Sequence, residues 1–207
     1  MKYFLPIRPT RVKPVYLLLA RLLVHAISVV WLVYTLLQGF TGGLSGDPVQ
    51  YLLDFTGIGT LNLLLLSLTI SPLAEYFKFG QIIRLRKTLG VYAAVYALSH
   101  LGVFIAFELQ FEWSLIVSEI VERPYITVGF AALTILAVLL ATSLTSIKAR
   151  MGKAWHRLHK WVYVALGLGL LHFLWSIKAN ELQPYIYIAL GLTLLIARKQ
   201  KLKNFFK

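Results

Sequence analysis

Residues 155–176 read WHRLHKWVYVALGLGLLHFLWS. The stretch opens on a basic, water-facing cluster. It then becomes an apolar helix, with His159 near its entrance and His172 deep inside. An ionisable side chain in hydrocarbon is costly, so its presence there signals a functional site. Histidine is also the commonest metal ligand. The stretch thus sets two expectations together: a membrane-spanning helix, and a cofactor held by it.

The rest of the chain has the same character. Of its 207 residues, 58% are hydrophobic and only 14% are charged. A soluble domain normally carries about 25% charge. The apolar residues gather into blocks close to the roughly 20 residues that a helix needs to cross a bilayer. Six spans are expected, at about 15–38, 57–74, 89–109, 125–146, 160–177 and 184–198. The fold class is all-α: a polytopic six-helix membrane bundle over 15–198, with a cytoplasmic segment 1–14 and a basic cytoplasmic tail 199–207. The first block shows no small-residue cleavage site and reads as a retained helix, not a signal peptide.

The net charge of +13 is sorted by loop. Lys2, Arg8, Arg11 and Lys13 precede the first span. Lys78, Arg84, Arg86 and Lys87 lie between the second and third. Lys148, Arg150, Lys153 and Arg157 lie between the fourth and fifth, and Arg198 to Lys207 close the chain. The alternate loops carry Asp47, Asp54, Glu108, Glu112, Glu119, Glu122 and Glu181, opposed only by Arg123 and Lys178. Basic loops resist translocation, so both termini are expected in the cytoplasm. Topology therefore accounts for the charge, and nucleic acid is not an expected partner. The lipid bilayer is.

Two of the outer loops have readable local structure. Asp47 reads as a helix N-cap with Pro48 at the first helical position, opening a short interfacial helix through Asp54. In the second loop Phe111, Leu115, Ile116, Ile120 and Val121 recur at helical spacing. That pattern suits an amphipathic helix lying on the outer leaflet, or a surface for a basic partner. Pro72 marks the exit of the second span.

The absence of cysteine excludes disulfides, iron–sulfur clusters and covalent haem attachment. Histidine chemistry remains. Lys87 to His100 is 13 residues and Lys160 to His172 is 12, on helices that start at the same face. At 1.5 Å per residue both histidines lie roughly 18–20 Å in. Two imidazoles at one depth on separate helices can hold a b-type haem iron between them. His100 and His172 are therefore the expected outer haem ligands, in preference to two hydrogen-bonded core histidines.

His159 lies 13 residues before His172, and a second haem could use it. The matching depth on the third helix holds Arg86 and Lys87 in place of a histidine. Together with Arg84 these read as contacts for haem propionates. On a straight helix the 13-residue spacing puts His159 and His172 about 140° apart in azimuth. A bundle crossing, or a bend near Gly167 and Gly169, would be needed to bring both to one channel. His156 reads as solvated, and His25, one turn from Arg21, as a packing residue.

The chain resembles the MsrQ (YedZ) family, within the wider ferric-reductase-like transmembrane group. The pieces that carry the resemblance are GLSGDPVQYLLDFTG, LTISPLAEYFK, IRLRKTLGVYAAVYALSHL, ERPYITVG and KAWHRLHKWVYVALGLGLLHFLWS. It implies a bacterial inner-membrane protein that binds haem b, one or two, with flavin mononucleotide (FMN) also associated. It implies electron transfer from quinol or a cytoplasmic flavin reductase to a periplasmic molybdopterin-dependent methionine sulfoxide reductase. It carries the haem role to His100, His159 and His172. The wider group pairs histidines on both the third and fifth helices, and this chain lacks one on the third. Methionine chemistry would then lie on the partner, making the chain an electron-transfer subunit. An electron moving outward from a negative interior gains about 2.3 kcal/mol per 100 mV. A ferric or cupric reductase of the same fold is the alternative. A cofactor-free transporter or assembly factor is the alternative from another class.

Overall fold

The computed structural model describes residues 13–177 and 181–198. The N-terminal residues 1–12, residues 178–180 (with Lys178) and the tail 199–207 lie outside them. Among the described residues every regular element is helical. In order these are α1 (Pro14–Thr41), α2 (Pro48–Tyr76), α3 (Ile83–Val103), α4 (Trp113–Glu122), α5 (Pro124–Ala141), α6 (Thr145–Met151), α7 (Lys153–Leu158), α8 (Val162–Ser176) and α9 (Gln183–Ile196). A 3₁₀ turn, His159–Trp161, joins α7 to α8, and a π turn, Phe104–Glu108, follows α3.

Five stretches are long and apolar enough to span: Pro14–Thr41, Pro48–Tyr76, Gly80–Glu108, Pro124–Ala141 and Lys153–Ser176. The chain is thus a multi-pass membrane protein. The sixth expected span corresponds to α9, an apolar helix of 14 residues. At 1.5 Å per residue α9 covers about 21 Å, less than the roughly 30 Å hydrocarbon thickness.

Local chemistry explains the helix ends. Gly42 closes α1 in the left-handed conformation (φ 74°), where its N–H reaches the Gln38 carbonyl. Asp47 caps α2 as the sequence suggested, its carboxylate accepting from the Val49 and Gln50 amides at 2.9 and 3.1 Å. Asp47→Ala should cost about 1 kcal/mol. A thermal melt of the full-length protein in detergent should fall by about 2–4 °C, and Asp47→Asn should recover most of it.

Two expectations change. The short interfacial helix through Asp54 and the second span are one helix of 29 residues. Gly57 does not break it, because apolar packing against α3 outweighs the cost of one glycine, about 1 kcal/mol. Pro72 does not end it either, since α2 continues to Tyr76.

The core lies between α2, α3, α5 and α8. Leu61, Leu64, Leu65 and Leu68 of α2 pack on Ala93, Ala94 and Ala97 of α3, with Leu136, Ala165, Leu166, Leu170 and Phe173 completing the cluster. The alanines let α3 approach closely, as small residues do in membrane bundles. α1 is peripheral and turns Leu22, Leu23, Val30 and Trp31 outward, as a lipid-facing helix should. It is tied to α3 by Tyr96, whose hydroxyl donates to the Ser28 carbonyl at 2.9 Å, and by the His25–Tyr92 pair at 2.7 Å. α4 is the helix foreseen in the second outer loop. Its most exposed apolar ridge is Trp113, Val117 and Val121, while Ile116 and Ile120 are half-buried.

Candidate haem-binding site

The structure brings His100 and His172 together. His100 sits one turn from the end of α3, and His172 in the last half of α8. Their ring centroids are 6.1 Å apart and the ring planes are nearly perpendicular, at 82°. A metal–imidazole bond is about 2 Å and a ring nitrogen lies about 1 Å from its centroid, so two imidazoles on opposite sides of one metal have centroids about 6 Å apart. The observed separation fits that arrangement.

Each imidazole is fixed through Nδ1. His100 Nδ1 lies 3.1 Å from the Leu53 carbonyl and 3.2 Å from Thr56 Oγ1. The Thr56 hydroxyl already donates to the Leu52 carbonyl at 2.7 Å. Both groups facing Nδ1 are therefore acceptors, and Nδ1 carries the proton. His172 Nδ1 donates in the same way to the Tyr125 carbonyl at 2.7 Å. In a neutral imidazole the other nitrogen, Nε2, is then unprotonated and free to ligate. The Tyr125 ring stacks on His172 at 6.0 Å.

Two glycines make these contacts feasible. A Cβ at Gly57 would lie 3.2 Å from the His100 ring, and one at Gly129 only 2.6 Å from His172 Nδ1. Neither position carried a sequence signal, because nothing local says which glycine faces a histidine from a neighbouring helix. Among the described residues no three His, Cys, Asp or Glu side chains cluster as metal ligands. A pair of imidazoles without further protein ligands suits a metal whose other positions are filled by a macrocycle.

His159 occupies a different environment. Its Nε2 lies 3.1 Å from Thr142 Oγ1, and its ring stacks on Trp155 at 3.9 Å. Trp155 in turn donates Nε1 to the Thr142 carbonyl at 2.8 Å. No histidine faces it from α3. The charge that acts most strongly on it there is Arg86. The 3₁₀ turn His159–Trp161 alters the azimuth between His159 and His172. A 3₁₀ turn advances about 120° per residue where an α-helix advances about 100°. Of the three basic residues on this side, Arg84 and Lys87 are exposed and Arg86 is half-buried. Arg86 reaches Ser71 Oγ at 3.4 Å.

No solved structure matches the chain. Residues 53–170, more than half of its length, match the family described as ferric reductase like transmembrane component. The matched window takes in His100 and His159 and ends just short of His172. Family, apolar helices and histidine geometry agree on electron transport within a membrane, and the chain belongs to the ferric reductase like transmembrane component family.

Proposed function

We propose that the chain is a haem b-binding electron-transfer subunit of a bacterial inner membrane. It would pass electrons from quinol or a cytoplasmic flavin reductase to a periplasmic molybdopterin-dependent methionine sulfoxide reductase. The observation that carries this reading is the His100–His172 pair, each ring anchored at Nδ1 and the two centroids 6.1 Å apart. The partner assignment is supported by the sequence resemblance over nearly the whole chain.

The residues divide the work. His100 and His172 would hold the outer haem, with Leu53, Thr56 and Tyr125 fixing the tautomer. His159 is the proposed ligand of an inner haem, with the exposed Arg84 and Lys87 as the proposed partners of its carboxylates. Haem supplies one-electron chemistry when bound. The protein supplies the dry, apolar surround and orients each ring. The orientation follows the basic loops, with both termini cytoplasmic and the acidic loops facing the periplasm. FMN is proposed as a further cofactor from the resemblance.

The family description favours one second reading, direct reduction of a metal chelate. An absorption spectrum and a reduction assay on the haem-loaded protein decide between them. The subunit reading expects a b-type spectrum and oxidation by the purified reductase, with little reduction of ferric citrate when that partner is absent. Fast ferric reduction without the partner would favour the metal reductase. A colourless protein after expression with excess haem would reject both.

A further inference from the structure

Four helix ends meet on the basic side of the bundle: the last turns of α2, the first of α3 and α8, and the residues just past α9. Pro72 lies inside α2. Proline has no N–H, so the carbonyl four residues earlier loses its helical partner. That carbonyl belongs to Leu68, and the Arg198 guanidinium donates to it through Nη2. Arg198 also donates Nη1 to the Tyr163 hydroxyl at 2.8 Å. It is only 4% exposed, and its Nε is buried with no acceptor.

A second guanidinium neighbours this phenol. Arg86 lies close to Tyr163 and to Arg198, a like charge, while its Nη1 donates to Ser71 Oγ at 3.4 Å. Among the described residues neither arginine is paired with a carboxylate. Capping Leu68 accounts for one donor of Arg198. It does not account for the buried Nε, nor for a second cation beside it. Two neighbouring like charges, one buried and one half-buried, call for an anion.

We propose that Arg86, Tyr163 and Arg198 form a binding site for a phosphate group. A phosphate bears one or two negative charges and several acceptor oxygens. It can meet two planar guanidinium forks and the Tyr163 and Ser71 hydroxyls together. A haem carboxylate carries one charge and leaves the second arginine unbalanced. The site lies at the end of the bundle where Lys148, Arg150, Lys153 and Arg157 gather, a field that concentrates anions. Two sources can bring the group there: an anionic phospholipid headgroup, or a soluble phosphate ester.

The test uses the full-length protein, delipidated in a neutral detergent. It is titrated calorimetrically with inorganic phosphate and with short-chain phosphatidylglycerol. One phosphate group should bind per chain. Arg198→Gln and Arg86→Gln should each weaken binding at least tenfold, while Arg150→Gln, an exposed basic neighbour, leaves it within twofold. Binding of the lipid alone assigns the site to a headgroup; binding of inorganic phosphate assigns it to a soluble ester. If Arg198→Gln does not fold, Arg86→Gln decides, because the Leu68 cap stays intact in it. Binding of neither probe, or an equal loss in Arg150→Gln, overturns the proposal. So does unchanged phosphate affinity in Arg198→Gln accompanied by loss of haem. The haem spectrum of the same samples reports on the electron-transfer reading independently.

Discussion

His172→Ala should lose the outer haem. Haem content per chain, read by pyridine haemochrome assay on full-length protein, should fall by one equivalent, and the bis-imidazole spectrum should disappear. His100→Ala should do the same, because the proposed site would then keep one imidazole in place of two. The effect should exceed the roughly 10–100-fold loss of metal affinity that follows removal of an outer-shell partner. Thr56→Val, which removes one of two acceptors at His100 Nδ1, should fall within or below that range. His159→Ala separates the sites: it should leave the outer signal intact. A His172→Ala protein with a full bis-imidazole spectrum would show that the pair does not hold the haem.

Gly129→Ala should be nearly as damaging, though it adds a single methyl group. The new Cβ would stand 2.6 Å from Nδ1 and 2.9 Å from Cγ of His172, inside any tolerable contact. The obstacle is a ring close to its own backbone, so it cannot swing aside as a flexible chain end would. His172 must leave the Tyr125 carbonyl, and the haem site should weaken by about 10–100-fold. Gly167→Ala is the internal control. A Cβ there meets nothing within 4 Å, and alanine in a helix is favoured over glycine by about 1 kcal/mol. That variant should keep wild-type haem content and melt no lower. Equal behaviour of the two variants would refute the close-approach argument.

Much of this site was readable from residue order. The depth argument needs only the rise per residue and a marker of the membrane edge, and Lys87 and Lys160 supplied that marker for His100 and His172. The Asp47 cap was readable because its hydrogen bonds span only three residues. What escaped depends on azimuth and on contacts between distant helices. The distinction between Gly129 and Gly167 rests on which side of a helix each occupies. The Thr142–His159 contact joins residues across the α6–α7 connection. Pro72 looked like a terminator, because a sequence does not show that an arginine 126 positions later satisfies the carbonyl it frees. The continuous α2 was hidden for a related reason: Gly57 reads as a local weakness until its partner across the interface is known.

The acceptors that hold the two imidazoles have a genetic consequence. Leu53 and Tyr125 contribute their main-chain oxygens, which every substitution at those positions retains. In a saturation screen for haem loading, Leu53 and Tyr125 should tolerate side chains of similar bulk. Gly129, which offers no side chain to bond either histidine, should tolerate almost none. The map of sensitive positions would then trace the space the histidines occupy more closely than the atoms they bond.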